Sequence, residues 1–171
     1  MTISRVLLTG GTGFVGFWMG RTQPKNVTAY FLGSYGYKDN YWEKQNWDSI
    51  IHLAPVSPAR VLKYAQKHGT RVLFASSGAV YPTYKDRTEY ATNKRRWEQE
   101  CLDSGVDVVI ARLFTFVGAH LKNLYALTNF IERARNGQPI EVWGDGSTVR
   151  SYLYGEDLGR WMWKLLLDGE G

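Results

Sequence analysis

Residues 6–16 read Val-Leu-Leu-Thr-Gly-Gly-Thr-Gly-Phe-Val-Gly: an apolar run that ends at Thr9, breaks into glycines and turns apolar again. A buried strand that feeds a helix through a tight turn has this pattern. Gly10, Gly13 and Gly16 are spaced G-x-x-G-x-x-G. The first would allow the turn, the second would let a pyrophosphate approach the backbone, and the third would let the helix pack closely on the sheet. Free N–H groups at the helix start would face the phosphates. A glycine-rich turn also joins strand to helix with no ligand at all, so the rest of the chain has to decide between the two uses.

Downstream, apolar runs alternate with helical patterns. Strands are expected at 27–32, 48–54, 71–75 and 106–116, with two short ones at 140–143 and 149–154. The run at 48–54 is nearly continuous, as in strands buried on both faces of a parallel sheet. Helices are expected at 17–20, 58–68, 89–103, 121–136 and 156–167. Pro24 ends the first, Pro58 opens the second and Gly69 stops it. Residues 35–47 read as loop with one helical turn. Strands in alternation with helices argue for an α/β parallel sheet.

The 171 residues suit one domain with a real core, and 44% hydrophobic and 22% charged residues are ordinary globular values. No apolar run approaches the roughly 18 residues of a membrane span, and Met1 to Arg5 leads straight into the first strand, so no signal peptide is expected. The lone Cys101 excludes an intrachain disulfide, and with nothing to constrain against reduction a cytoplasmic setting is the expectation. His52, His68 and His120 lack metal-ligand spacing, so no metal site is expected. A formal charge of +5 suits anionic partners such as nucleotides. The Lys94-Arg95-Arg96 run is followed by Glu98 and Glu100 and fits a solvated helix face, so nucleic acid is not an expected partner.

Tyr90 and Lys94, four apart, share one face of the helix expected at 89–103. A free phenol titrates near pH ~10, and a neighbouring ammonium favours the phenolate. A Ser77 hydroxyl at the end of the preceding strand would hydrogen-bond a substrate oxygen. Together the three groups suit removal of a proton from an alcohol while hydride leaves for an oxidised nicotinamide.

With the glycine turn, the Ser76-Ser77 pair and the Tyr90/Lys94 pair in this order, the chain resembles an extended short-chain dehydrogenase/reductase, of the NAD-dependent epimerase/dehydratase family acting on nucleotide sugars. The resemblance runs through 9–16, 50–54, 74–81 (FASSGAVY), 90–94, 111–118 (ARLFTFVG) and 144–158 (GDGSTVRSYLYGEDL). It implies a Rossmann-like doubly wound parallel sheet with a reduced or truncated C-terminal substrate lobe. The single domain 1–171 would then divide into a dinucleotide-binding core, 1–118, and a partial substrate-binding region, 119–171. The implied cofactor is NAD or NADP. Gly10, Gly13 and Gly16 would bind its pyrophosphate with Thr12, Phe14 and Val15 lining the turn, and Leu53 and Ala54 would lie along the path from adenosine to nicotinamide.

By the same resemblance Ser77 falls on the catalytic Ser/Thr, Tyr90 would be the base, and Lys94 would hold the nicotinamide ribose and tune Tyr90. Arg150 would meet the diphosphate of a nucleotide-diphosphate sugar, a surface ion pair with Glu156 or Asp157 being the alternative. Asn129 falls near the substrate. A homodimer is implied through helices 58–68 and 89–103, with Trp97 and Cys101 either on that face or in the core.

The chain departs from the pattern in four places. Gly33-Ser34 stand where an acid would read the adenosine ribose, with Lys38 and Arg21 not far off, which leaves NAD and NADP both open. Between Gly16 and Asp48 a strand-helix unit is missing, and the link from Ser77 to Tyr90 is short. The sequence stops after the last helix, as a minimised version or a fragment would. Gly78-Ala79 replace the Asp-Glu of similar 4,6-dehydratases, which disfavours a dehydratase. The expected activity is therefore an NAD(P)-dependent nucleotide-sugar epimerase. The alternatives are a cofactor-binding module without turnover and an NADPH-dependent keto-sugar reductase.

Overall fold

The computed structural model describes residues 4–81, 88–121 and 125–169, with the backbone alone at Ser34 and Tyr35. In chain order the elements are β1 (Ser4–Thr9), α1 (Phe14–Arg21), β2 (Val27–Leu32), α2 (Ser34–Lys38), β3 (Ser49–His52), α3 (Ala59–His68), β4 (Arg71–Ser77), α4 (Glu89–Asp103), β5 (Val108–Leu113), β6 (Thr115–Val117), α5 (Ala126–Arg135), β7 (Tyr152–Tyr154) and α6 (Gly155–Asp168). Short 3-10 turns occupy Tyr41–Lys44 and Gly78–Val80. Five strands form one parallel sheet in the order β2-β1-β3-β4-β5, and β6 pairs with β7 in a separate parallel pair.

The period-2 alternation of the strands divides the core. Val6, Leu8, Ile51, Leu73 and Ala75 point to one face, where Met19 of α1 and Leu158, Met162, Trp163 and Leu166 of α6 cover them. Leu7, Ile50 and Val72 point to the other, under Val61, Tyr64 and Ala65 of α3 and the aromatic cluster Tyr37, Trp42 and Trp47. Phe74 meets Leu62, Trp97 and Cys101 between α3 and α4. Each such side chain contributes about 1.5–3 kcal/mol on burial, and helices on both faces make the sheet doubly wound. Trp97 and Cys101 are 6% and 2% exposed, so core packing accounts for both and neither presents an outer face of α4.

Among the described residues no strand pairs outside β2, where the strand-helix unit is expected to be missing. Residues 34–47 instead fold onto the sheet face: Tyr37 and Trp42 stack at 5.9 Å, and the Trp47 indole donates to the Trp42 carbonyl at 2.8 Å. The start of the open edge is blunted by Gln23, whose side-chain amide donates to the Val27 carbonyl at 2.9 Å.

Four expectations on element bounds need correction. The first helix runs from Phe14 to Arg21 rather than over 17–20, because its inner face is gripped by α6. Trp18 is buried there against Gly155 and Gly159, and the Trp163 indole donates to the Met19 carbonyl at 2.9 Å. The strand expected over 106–116 breaks at Phe114, where the chain leaves the large sheet, and its continuation, β6, pairs with β7. The alternation at 140–143 forms no strand: those residues are exposed and pair with no described strand. Within 121–136, α5 covers Ala126–Arg135 only. Helix α6, expected in the substrate region, packs on α1 and the sheet.

Candidate functional site

The order β2-β1-β3 means that the chain leaves β1 toward one face of the sheet and β3 toward the other. The divergence opens a crevice at the C-terminal ends of these strands, the place where open α/β sheets take ligands. The crevice has three parts. Beside the glycine turn lies a cavity of about 450 Å³ lined by Gly10, Thr12, Gly13, Phe14, Val15 and Phe17 on one side and Phe116 and His120 on the other. Leu53, Val15, Phe116 and Tyr125 carry it into a second cavity of about 370 Å³, onto which Ser77, Tyr90 and Lys94 open. On the other side of Gly10 a third cavity of about 440 Å³ runs past Ala54 to Tyr37, Lys38 and Arg60.

Gly10 holds φ +72°, and a Cβ there would sit 2.6 Å from the Ala54 backbone nitrogen. The turn is thus pressed against the β3 loop, and Leu53 N–H donates to the Thr9 carbonyl at 2.9 Å. Gly16 touches the Gly11 backbone just as closely. Gly13 differs. It caps α1 in extended geometry (φ −85°), and a Cβ would meet nothing nearer than the Gly10 carbonyl at 3.5 Å. Protein packing therefore leaves room for a side chain at Gly13, on the wall of the cavity. No side chain caps α1 and no acid stands in its first turn, so its first N–H groups and the positive end of its dipole are open to an anion. The turn fits a dinucleotide pyrophosphate.

The loop after β3 is held from below by His52. Its Nε2 donates to the Val56 carbonyl at 3.1 Å, and its Nδ1 accepts from the Thr9 hydroxyl at 2.6 Å. The carbonyl can only accept, which fixes the tautomer. Burial takes the imidazole down to about 4; the bond to Val56 opposes this and Lys94 reinforces it. The ring is a neutral strut joining the end of β1 to the loop that floors all three parts of the crevice.

Helix α4 starts at Thr88, whose hydroxyl accepts from the Ala91 N–H, and carries Tyr90 and Lys94 one turn apart. Tyr90 is 49% exposed, whereas Lys94 is 4% exposed. The Lys94 ammonium donates to the Ala75 carbonyl of β4 at 2.6 Å and lies over the rings of Phe74 and Trp97. Burial pushes it down to about 8, against the upward pull of Cys101 and Glu98. An ammonium has three donors, and Ala75 takes one. Ser77 ends β4 and its hydroxyl accepts from the Ala79 N–H at 3.2 Å. The turn that follows is clamped from outside: Phe114 lies on Gly78, Tyr81 stacks on Phe114 at 5.8 Å, and the Arg112 guanidinium covers Tyr81. Arg112 also pairs with the buried Glu98 at 2.8 Å, one turn beyond Lys94. Burial raises the Glu98 carboxyl, and the bonds from Arg112 and Ser76 with the charges of Arg112 and Lys94 together more than offset it, so it titrates below its usual range.

The structure thus brings Ser77, Tyr90, Lys94 and Leu53 to one cavity and Gly10, Thr12, Gly13, Phe14 and Val15 to its neighbour, with Ala54 on the third and Gly16 packed behind the turn. Asn129 and Arg150 are not among the residues lining the crevice: both are exposed, and Arg150 donates to the Val149 carbonyl. Among the described residues Arg150 pairs with neither Glu156 nor Asp157, and Glu156 bonds Arg160 at 2.6 Å instead. At the third cavity no lining side chain is a carboxylate; Arg60 is held by Glu43 at 2.7 Å, and Asp39 turns away to the Tyr41 N–H. Sequence reasoning assigned no role to His52 or His120, because neither has a spacing signal, nor to Phe116 and Tyr125, whose aromatic character equally suits a core. Among the described residues no cluster of His, Cys, Asp or Glu could hold a metal, and no helix is long and apolar enough to cross a membrane.

A family model described as NAD dependent epimerase/dehydratase family matches residues 36–171. UDP-glucuronic acid decarboxylase 1 of Danio rerio is 28% identical over 216 positions, covering 90% of this chain and 52% of that protein. That alignment is longer than the chain itself, so the relative carries stretches inside the match that this chain lacks. The chain spans about half the length of the curated relatives it matches first. Among solved structures, the Bordetella bronchiseptica enzyme WbmF in complex with NAD+ and UDP superposes with a TM-score of 0.81 at 15% identity, over 99% of this chain and 70% of that one. UDP-N-acetylglucosamine 4-epimerase from Bacillus cereus gives 0.80 at 17% identity, over 97% and 72%. These two likenesses carry the Rossmann-like fold.

Proposed function

We propose that this chain, which belongs to the NAD-dependent epimerase/dehydratase family, binds a nicotinamide dinucleotide along the crevice and oxidises a hydroxyl of a nucleotide-diphosphate sugar, in the manner of an epimerase. The observation that carries the reading is the opening of Ser77, Tyr90 and Lys94 onto a cavity continuous with the glycine turn. The turn from Gly10 to Gly16 and the start of α1 would hold the pyrophosphate, and Leu53 and Ala54 the path between the two nucleosides. Lys38 and Arg60 on the third cavity, whose lining includes no carboxylate side chain, leave room for either NAD or NADP.

When bound, the dinucleotide supplies the hydride acceptor. Tyr90 stands at the solvent side of its cavity and takes the proton from the sugar hydroxyl. Ser77 offers a hydroxyl to the same oxygen, on a turn fixed by Phe114 and Tyr81. Lys94, anchored on Ala75, has donors left for a ribose hydroxyl and stands one helical turn from Tyr90. The apolar walls from Leu53, Val15 and Phe116 exclude water from the reacting carbon. The relatives named as decarboxylases favour a second fate for the same oxidation: a uronic acid sugar oxidised next to its carboxylated carbon loses CO2. Pairing as a homodimer through α3 and α4 is part of the same proposal.

The test is incubation with NAD or NADP and a panel of UDP-, dTDP-, GDP- and CDP-sugars that includes UDP-glucuronic acid. Redox-neutral conversion of a sugar supports the epimerase, release of CO2 the decarboxylase, and net consumption of NADPH a reductase. Tyr90→Phe should lower turnover at least 100-fold with cofactor affinity retained. Dinucleotide binding with neither turnover nor sugar-nucleotide binding would mark a binding module instead.

A further inference from the structure

His120 is the only residue other than glycine with a positive φ, +68°, among the described residues. Backbone held in this region is strained for a side-chain-bearing residue and persists where surrounding contacts over-determine it. Here the imidazole is laid against the Phe17 ring, centroids 4.1 Å apart, and forms part of the cavity wall that faces the glycine turn. Neither ring nitrogen hydrogen-bonds to a described residue. Of the described side chains around that cavity, His120 is also the only one able to carry positive charge. The opposite wall presents the uncapped start of α1 and the open face of Gly13.

We infer that His120 is a ligand-contacting residue whose ring N–H donates to the diphosphate lodged at the Gly10–Gly13 turn. The inference rests on the cofactor reading above and adds a second wall to the phosphate site. Backbone N–H groups of α1 would hold the diphosphate from one side, and an imidazole positioned by Phe17 would close on it from the other. A hydrogen bond to a charged oxygen is among the stronger ones, which gives the strained backbone a use that packing alone does not supply.

The experiment is calorimetric titration of the wild-type chain, His120→Phe and His120→Gly with NAD, ADP, UDP and adenosine, with thermal melting alongside. His120→Phe keeps a ring for Phe17 and lacks the donor, and His120→Gly relieves the backbone, so at least one stays folded. We expect both to lose about ten-fold in affinity for NAD and ADP, with adenosine affinity unchanged and no matching loss of melting temperature. Unchanged NAD and ADP affinity, an equal loss for adenosine, or a loss confined to UDP would overturn the assignment. A wild-type chain that binds neither NAD nor ADP would overturn the cofactor reading itself, whereas intact wild-type binding with indifferent variants overturns only the role of His120.

Discussion

Gly10 and Gly13 stand three residues apart and respond differently to an added methyl group. At Gly10 the backbone is left-handed and a Cβ would drive into Ala54, so Gly10→Ala should cost about 2–4 kcal/mol of stability. At Gly13 the backbone is ordinary and the space open, so Gly13→Ala should leave the melting temperature nearly unchanged and abolish dinucleotide binding. Melting and calorimetry of the pair check this, and a Gly13→Ala protein that binds normally would show that nothing approaches the turn there. The sequence reading gives Gly10 to the turn and Gly13 to the approach of a pyrophosphate; the neighbours add the distances that separate a glycine required by the fold from one with space beside it. His52 carries a pH prediction. Its ordinary value of 6.5 falls to about 4 on folding, so between these limits the unfolded chain binds a proton that the folded chain refuses. Stability should therefore decline as pH drops from 6.5 to 4, by about 3 kcal/mol over the full interval. His52→Gln, which keeps a donor for Val56, should show a shallower slope in urea denaturation between these pH values. Equal slopes would rule out the imidazole as the source.

Helix α1 shows what single-sequence reading misses. Gly16 and Gly20 lower its intrinsic propensity, and a segment of four residues was all the pattern supported. The helix doubles in length because α6 supplies what propensity lacks. Trp18 sits between Gly155 and Gly159, with Phe17, Phe14 and Tyr154 around its ring. A Cβ at Gly155 would lie 2.2 Å from the indole nitrogen, so Gly155→Ala should destabilise by about 2 kcal/mol. Trp18→Leu should restore part of that loss in the double variant, a coupling that a thermodynamic cycle measures; strict additivity would mean the two do not share one contact. Elsewhere the elements were legible where the physics is local. The four apolar runs at β2 to β5 gave strands, and Thr88 to Asp103 gave a capped helix with Tyr90 and Lys94 on one face. The run Ile140-Glu141-Val142-Trp143 alternates like a strand and is none, because alternation states a preference and a strand needs a partner. The break at Phe114 was equally silent, since leaving one sheet for another is decided by where β7 lies.

Across the molecule, order is unevenly distributed. Residues 138–151 are all exposed and contain no helix or strand, and Trp143 is 93% exposed. Brief chymotrypsin treatment should therefore cut after Trp143 early, while the C-terminal fragment stays attached through α6 and co-elutes with the rest on gel filtration. Prompt loss of the fragment would contradict the packing of α6 described above. That packing also bears on how the molecule is made. The helix that would hold the pyrophosphate emerges from the ribosome early, yet its buried face is closed by residues 155–166. Synthesis runs from the N-terminus, so the first and third strands can collapse together long before the last helix exists. That end of the crevice must then wait, half-covered, until residues 155–166 have been translated. A nascent chain of this kind gains its ligand-ready shape only once α6 has emerged, rather than strand by strand.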